Sequence, residues 1–428
     1  MKKIMSPGRI IALGFLTIII AGALLFMLPI SQKAPGTISF TDALFTSTSA
    51  VCVTGLSVFD PGSTLTAFGQ TVLGILIQLG GLGFVSISMG IVMLTGQKIF
   101  FKQRTLVKEA LNYGSMGGIV TLVKSILTTT LLFELAGTVI FFFVFIKEYP
   151  FLKALGLSLF HSVSSFNNAG FDILGRGNSL ISMGDNAFFI ATTSLMIIFG
   201  GIGFLVIKEI TFKRRFKKFT LHTKIVLSMT LFLLLAGTVL FKLTDGYSWL
   251  EAFFMSVSTR TAGFTTVKLD NISNAGMIVY SVLMFIGASP TSTGGGIKTT
   301  TMFVVFVALY SYFSANNPSV FKRTLSKDSL YKSFIILALG IVIVITSLFA
   351  VCAFNPQLEF KDIFFEVVSA FGTAGLSTGI TSLLSTAGKY AIIITMFIGR
   401  LGPLTIVSLW AFKKRSDVSY AIESVTLG

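Results

Sequence analysis

The chain has 428 residues, of which 53% are hydrophobic and only 12% are charged, and its formal net charge is +16. A soluble domain usually carries about twice that charged fraction, so the composition excludes that class. Two cysteines and two histidines are too few for a disulfide framework or a metal cluster. Because no convincing acid, base or nucleotide-binding set appears either, the sequence predicts an all-α, multi-pass membrane protein that is not an enzyme.

In chain order, four apolar stretches long enough to cross ~30 Å of hydrocarbon each begin a similar series of elements. They lie at about 10–30, 120–146, 225–243 and 333–354. Each is followed by a short, half-apolar helix and by a polar stretch that ends in glycine. A second apolar span then follows, and these second spans are predicted at about 68–95, 187–210, 275–312 and 388–411. The first stretch is too long for a signal peptide and is interpreted as a retained span.

Basic residues are concentrated in five segments, which hold 22 of the 33 Lys and Arg but only 5 of the 17 Asp and Glu. The segments are 1–9, 97–124, 208–224, 314–332 and 411–428. The positive-inside rule places all five, and therefore both termini, in the cytoplasm. The basic run 213–218 is assigned to the membrane surface and not to nucleic acid. Each piece between two basic segments crosses the membrane an even number of times, so the pieces are parallel repeats.

The predicted repeats have boundaries at 1–96, 97–212, 213–313 and 314–428, and the last includes a C-terminal tail. In each, a small residue precedes the glycine of the polar stretch and Leu or Phe follows it. We call the four polar stretches filter segments 1 to 4. They are Val51-Cys52-Val53-Thr54-Gly55, Phe166-Asn167-Asn168-Ala169-Gly170, Thr259-Arg260-Thr261-Ala262-Gly263 and Phe371-Gly372-Thr373-Ala374-Gly375. The third is one residue shorter between its upstream serine and its glycine.

Non-helical backbone survives at membrane depth only where protein buries it or where it lines a water-filled cavity. Four parallel re-entrant loops can meet on one axis, where backbone carbonyls replace the hydration shell of a cation. The negative C-terminal ends of the preceding half-helices favour a cation at the same place. The sequence thus predicts four M1–pore helix–M2 repeats, with eight transmembrane helices around a pseudo-fourfold central pore.

At these residues the chain resembles the Trk/Ktr/HKT superfamily of potassium transporters, and within it the membrane subunit of bacterial Ktr. The resemblance rests on TSTSAVCVTGL (46–56), MSVSTRTAGFTT (255–266), GASPTSTGGGIKTTT (287–301) and GRLGPLT (399–405). It implies K⁺ uptake through the backbone carbonyls of the filter segments, often promoted by Na⁺, in a bacterial cell membrane. It also implies a homodimer on a cytoplasmic, nucleotide-binding ring of the RCK type. Glycine at all four filter positions favours K⁺, and no organic cofactor is expected in this chain.

The second span of the third repeat is interrupted by a run rich in Gly, Ser and Thr. Pro290 removes a backbone donor, and the three glycines at 294–296 weaken a helix by about 1 kcal/mol each. We predict a flexible plug that closes the pore, with a passive kink as the alternative. The predicted gate comprises Gly287, Ala288, Ser289, Pro290, Thr291, Ser292, Thr293, Gly294, Gly295, Gly296, Lys298 and Arg400. We call residues 287–296 the plug loop.

Three ionisable residues in apolar surroundings need partners, because charge at membrane depth is costly. Arg400, in the last span, is predicted to form an electrostatic barrier below the filter, with a purely structural tie between helices as the alternative. The family's arginine at the matching position supports the barrier. Arg260 is expected to point behind the filter and to pair with Glu366 or Glu251. Glu134 is expected to pair with Lys298, with Arg400 or with a neighbouring hydroxyl.

Two other function classes fit the sequence less well than an ion pore does. A carrier for an organic solute would need a site for the solute's own groups and often has inverted repeats, whereas these repeats are parallel. An intramembrane enzyme would need an acid, base or metal set, which the sequence does not supply. The repeated feature is backbone-rich and therefore favours a bare cation.

Overall fold

The structure is a computed structural model that describes residues 6–95, 100–111, 117–175, 177, 179–270, 272–403 and 405–406. Its helices are α1 (Pro7–Met27), α2 (Phe40–Cys52), α3 (Pro61–Thr64), α4 (Ala67–Leu82), α5 (Phe84–Leu94), α6 (Phe101–Ala110), α7 (Ile119–Phe145), α8 (Phe151–Phe166), α9 (Ala187–Ile202), α10 (Phe204–Lys213), α11 (Leu221–Thr244), α12 (Trp249–Ser258), α13 (Asn274–Phe285), α14 (Thr299–Phe313), α15 (Lys327–Phe354), α16 (Phe360–Gly372) and α17 (Thr386–Leu401). A hairpin of β1 (Ser319–Val320) and β2 (Arg323–Thr324) joins α14 to α15. The predicted helical membrane fold is confirmed, apart from this short hairpin.

Four helices of the described chain are long and apolar enough to cross a membrane: α1, α7, α11 and α15, with 21, 27, 24 and 28 residues. They coincide with the four predicted first spans. The pairs α4 with α5 and α9 with α10 meet the same criteria only together, so the described residues contain up to six such spans. The eight-span count stays a prediction, because the plug loop divides the third second span and much of the chain after α17 lies outside the described residues.

The second spans bend sharply, which the predicted ranges 68–95 and 187–210 did not anticipate. Helices α4 and α5 meet at 95°, and α9 and α10 meet at 98°. The bends lie at Gly83 and Gly203, with φ of +74° and +92°, and Gly402, at φ +84°, follows α17. Glycine reaches these φ values without the strain that a Cβ would cause. The glycine clusters therefore mark helix breaks inside the second spans.

The four predicted half-helices are present as α2, α8, α12 and α16, each ending at its filter segment. Two of them begin with a serine cap: Ser39 accepts from the Asp42 amide, and Ser248 forms a capping box with Glu251. Each packs against the long helix that precedes it in the chain. Each is thereby held with its C-terminal end inside the bundle and its N-terminal end at the surface.

Contacts between consecutive parts of the chain close into a ring. Helix α8 contacts α4, α12 contacts α9, and α16 contacts α13. Each of these short helices therefore contacts the second span of the preceding predicted repeat. Helix α2 completes the series by contacting α17. An ion pair reinforces this closure, since Lys389 Nζ lies 2.7 Å from Asp42 Oδ1. The first and the last repeat units of the described chain are thus in direct contact.

Candidate functional site

The four filter segments share one backbone conformation despite their different sequences. The third residue of each is left-handed: φ is 56° at Val53, 58° at Asn168, 76° at Thr261 and 50° at Thr373. The fifth is a glycine with positive φ: 98° at Gly55, 70° at Gly170, 81° at Gly263 and 83° at Gly375. A left-handed conformation costs a non-glycine residue roughly 1–2 kcal/mol. Such strain persists only where the surrounding structure determines it, as at functional sites.

The four glycines approach one another in the order of the chain. A Cβ added at any of them would meet the carbonyl oxygen that precedes the next glycine. The distance from the added Cβ to the carbonyl oxygen would be 2.7 Å for Gly55 and Ala169, 2.5 Å for Gly170 and Ala262, and 2.7 Å for Gly263 and Ala374. A Cβ at Gly375 would overlap the carbonyl oxygen of Thr54. Four backbone segments thus surround one small volume, and there is no room for a side chain at the glycine positions.

A serine at the end of each short helix fixes the start of its filter segment. The serine carbonyl accepts a hydrogen bond from the amide of the residue before the glycine. These bonds run from Thr54 to Ser49 at 2.8 Å, Ala169 to Ser164 at 2.8 Å, Ala262 to Ser258 at 2.9 Å and Ala374 to Ser369 at 2.8 Å. In the third segment the bond spans one residue fewer. The shorter spacing seen in the sequence is therefore absorbed within this turn.

Glycines of the second spans lie directly against the filter segments. A Cβ at Gly80, Gly200 or Gly399 would overlap a carbonyl oxygen at the first position of the same part's segment. The three carbonyls are those of Val51, Phe166 and Phe371. The recurrence of glycine 24 to 30 residues after the first, second and fourth filter glycines thus has a packing cause, because only glycine lets the helix approach this closely. In the third repeat the matching residue, Gly287, lies against the backbone of the plug loop at Gly295 instead.

The plug loop lies among the ends of the second-span helices and is hydrogen-bonded to them. Ser289 N donates to Gly201 O at 3.0 Å, Thr293 N to Gly200 O at 3.4 Å, and Gly296 N to Gly399 O at 3.3 Å. Gly295 N donates to the side-chain oxygen of Thr373, in filter segment 4, at 2.9 Å. Carbonyls at a helix C-terminus have no partner within the helix. The amides of the loop supply those partners, which explains how non-helical backbone is accommodated here.

Arg400 joins this loop to a third helix end. Its guanidinium donates to the carbonyls of Thr293 and Gly80, and to that of Gly81 at 3.2 Å. Lys298 donates from Nζ to Gly294 O at 2.7 Å. Both cations are partly buried. The residues predicted to form the gate are therefore brought together, with the plug loop between Arg400 and filter segment 4.

Comparison with known proteins assigns the family. The model of the family described as TrkH, cation transport protein, matches residues 15–421. The chain belongs to this family. The predicted resemblance is thereby confirmed, and the chain is a cation transport protein and not an enzyme.

Relatives of the family span nearly the whole chain. The Ktr system potassium uptake protein B of Bacillus subtilis is 40% identical, over 99% of this chain and 97% of the relative. The potassium/sodium uptake protein NtpJ of Enterococcus hirae is 38% identical, over 100% and 98%. The crystal structure of the potassium transporter TrkH from Vibrio parahaemolyticus superimposes with a TM-score of 0.74, at 19% identity over 95% of this chain and 86% of that chain. This structural likeness supports the fold alone.

The expected pairing of Arg260 with Glu366 or Glu251 is wrong. No ion pair of the described residues includes Arg260, and its Nε lacks a hydrogen-bond partner although the residue is only 7% exposed. Both carboxylates are already engaged. Glu366 accepts from the hydroxyls of Ser377 and Thr381, and Glu251 caps α12. Their bonding needs are met locally, so neither is drawn to the guanidinium.

Glu134 pairs with neither of the cations considered for it. Its carboxylate accepts from Gln78 Nε2 at 3.1 Å and from Asn167 Nδ2 at 2.9 Å. Sequence reasoning did not single out Gln78. An amide side chain inside the apolar second span was the available signal, because a buried polar group requires a partner.

Proposed function

We propose that the chain takes up K⁺ through a carbonyl-lined selectivity filter formed by the four filter segments. Four parallel M1–pore helix–M2 units, bounded at 1–96, 97–212, 213–313 and 314–428, surround a pseudo-fourfold pore. The main support is that the four filter glycines form a closed cycle. Each lies against the carbonyl oxygen of the residue that precedes the next filter glycine. Backbone carbonyls collected in this way replace the water of a dehydrated cation. The closed ring of helix contacts supports the same arrangement.

The ion is K⁺, with Na⁺ as a promoting or accompanying ion. Relatives at 40% and 38% identity are named as potassium uptake and potassium/sodium uptake proteins. All four filter positions are glycine, so the backbone supplies equivalent surroundings on four sides. Each half-helix also directs its C-terminal carbonyl end toward its filter segment, which favours a positive charge there.

The plug loop and Arg400 form the closed gate of this pore. A cation below the filter repels other cations, and the hydrogen bonds of the loop hold it across the path. The name of the Ktr system relatives suggests a partner component. We assign that role to a cytoplasmic, nucleotide-binding ring of the RCK type beneath a homodimer of this chain. Both termini are then cytoplasmic, and the protein is a multi-pass component of a bacterial cell membrane.

The test is ion uptake into proteoliposomes that contain the purified chain alone, measured separately with K⁺ and Na⁺ gradients. We expect K⁺-selective uptake, and a reduced preference for K⁺ in Gly263→Ser. If neither protein conducts, deletion of 289–296 distinguishes a closed plug from an absent pore, since only a closed plug gains flux on deletion. Uptake of an organic solute without K⁺ flux, in either form, would contradict the proposal.

A further inference from the structure

A closed triangle of hydrogen bonds lies behind filter segment 2. Asn167 Nδ2 donates to Glu134 Oε1 at 2.9 Å and to Gln78 Oε1 at 2.8 Å. Gln78 Nε2 donates to the other carboxylate oxygen, Glu134 Oε2, at 3.1 Å. The three side chains come from three elements: the filter segment, α7 and α4. The triangle therefore crosses the contact between the first and the second part of the chain.

The carboxylate determines the orientation of both amides. An ionised carboxylate has only acceptors, so each amide must turn its NH₂ group toward Glu134. The carbonyl oxygen of Gln78 is then left free to accept from Asn167, which completes the triangle. A glutamine at position 134 would present a donor on one side and would break one of the three bonds. Hydrogen bonds to charged groups are also the stronger ones in a protein interior.

The backbone of α7 at Glu134 is tied to the short helix that carries the segment. Ser162 Oγ, in α8, donates to Glu134 O at 2.7 Å. Glu134 is only 7% exposed, and a Cβ at Gly81 would overlap Oδ1 of Asn167. Asn167 itself is fully buried, so the triangle is enclosed on the side of α4 as well.

No equivalent network lies behind the other three segments in the part of the chain that the structure describes. The corresponding positions hold Cys52, Arg260 and Gly372. None of them is hydrogen-bonded to a carboxylate, and Gly372 has no side chain. Filter segment 2 is thus held by a device that its counterparts lack.

We propose that Glu134 is a positioning residue for ion selectivity, acting through Asn167 on the carbonyls of filter segment 2. This inference rests on the proposed K⁺ function. Asn167 lies two residues before Ala169, whose carbonyl faces Gly55. Fixing the Asn167 side chain fixes the backbone that leads to that carbonyl. Loss of the triangle lets the segment shift, so that the carbonyls no longer fit K⁺ better than Na⁺.

Exchanging Gln78 and Glu134 separates the effect of the hydrogen-bonded triangle from the effect of the position of the charge. In Glu134→Gln one of the three bonds is lost. In Gln78→Glu two carboxylates face each other. In the double variant Gln78→Glu/Glu134→Gln, the carboxylate and the amide exchange places and all three bonds can form again. Leu135→Ala is the matched control, because Leu135 is the next residue of α7 and is 53% exposed.

The experiment measures the K⁺-dependent rise in Tm of the full-length purified chain, which gives a Kd for K⁺, together with K⁺ and Na⁺ uptake in proteoliposomes. We expect each single variant to weaken K⁺ binding at least about tenfold relative to Na⁺. The swapped variant should recover most of this loss, and Leu135→Ala should bind K⁺ as the wild type does.

Two results would overturn the inference while leaving the K⁺ function intact. One is a K⁺-selective wild type whose Glu134→Gln variant has an unchanged Kd and selectivity. The other is a folded double variant no better than either single variant. If the double variant does not fold, the comparison of Glu134→Gln with Leu135→Ala decides, since equal K⁺ binding in the two contradicts a positioning role. A wild type without K⁺ preference would instead refute the proposed function.

Discussion

Replacement of Gly263 by alanine tests whether the approach of the four filter glycines sets ion preference. Gly263 has φ of +81°, and a Cβ there would lie 2.7 Å from the carbonyl oxygen of Ala374. The left-handed backbone costs alanine roughly 1–2 kcal/mol. The overlap adds to this cost, because the oxygen belongs to backbone that must itself move. Each 1.4 kcal/mol corresponds to about tenfold in an equilibrium constant.

The strain is relieved by displacing filter segment 3 away from segment 4, which alters the spacing of the carbonyls around the ion. We therefore expect the K⁺ to Na⁺ uptake ratio of Gly263→Ala to fall at least about tenfold. The assay is uptake of both ions into proteoliposomes made from one preparation of each protein. Tm, measured in parallel, shows that the variant is folded.

Gly246→Ala is the matched control for this experiment. Gly246 lies in the same predicted repeat, has φ of +68° and has no atom within 4 Å of an added Cβ. It therefore carries a similar backbone strain without the contact between segments. We expect the K⁺ to Na⁺ uptake ratio to fall in Gly263→Ala and to stay unchanged in Gly246→Ala. A folded Gly263→Ala protein with the wild-type ratio, or an equal loss in both variants, would show that the approach of the four filter glycines does not set ion preference.

Three further predictions concern the gate and the loop after filter segment 2. Deletion of 289–296 removes the plug and should raise K⁺ flux, measured as initial uptake. Arg400→Lys keeps the charge but, as a point donor, cannot hold both the Thr293 and Gly80 carbonyls, so flux should also rise. Burial raises the pKa of Asp172 from 3.8 to about 6. Asp172→Asn should therefore stabilise the protein by up to about 3 kcal/mol above pH 6, with the difference vanishing below pH 4, as seen in Tm against pH.

Each of these predictions has a distinct contrary result. Unchanged flux after the deletion of 289–296 would contradict a gating role and favour a passive kink. If Arg400→Lys stays closed while Arg400→Gln opens, charge and not the bonds to the loop holds the gate. The direction of the pH dependence follows from the raised pKa of Asp172. Its favourable contribution to the free energy of unfolding is present at low pH, where the carboxyl is neutral, and is lost as the pH rises through about 6. A Tm difference that is independent of pH would contradict that assignment.

Much of the fold was predictable because its signals, hydropathy and charge, lie in consecutive residues of the sequence. The first spans and half-helices follow from apolar length and from polar breaks, and the structure contains both kinds of element. Filter glycines could be located because the motif recurs four times. Their left-handed φ and close approach also agree with the chemistry that makes glycine necessary at such positions.

The features that could not be predicted from the sequence depend on contacts between residues that are far apart in the chain. The bends at Gly83 and Gly203 could not be distinguished from close packing, because glycine serves both purposes. Arg260 was assigned a carboxylate on charge alone, but the carboxylates considered were already bonded to nearby hydroxyls or to a helix end. The Gln78 and Glu134 pair, 56 residues apart, becomes evident only when α4 and α7 are placed side by side.

The most direct test of the central claim is to locate a bound ion. Tl⁺ replaces K⁺ in such sites and scatters X-rays strongly, so its position can be read from an anomalous difference map of the purified protein. We expect a peak between the four filter segments, within coordination distance of the carbonyl oxygens of Thr54, Ala169, Ala262 and Ala374. K⁺ should displace this ion more readily than Na⁺ does. An ordered structure of the protein in Tl⁺ with no peak there, or with the ion held elsewhere by side chains, would contradict the central claim.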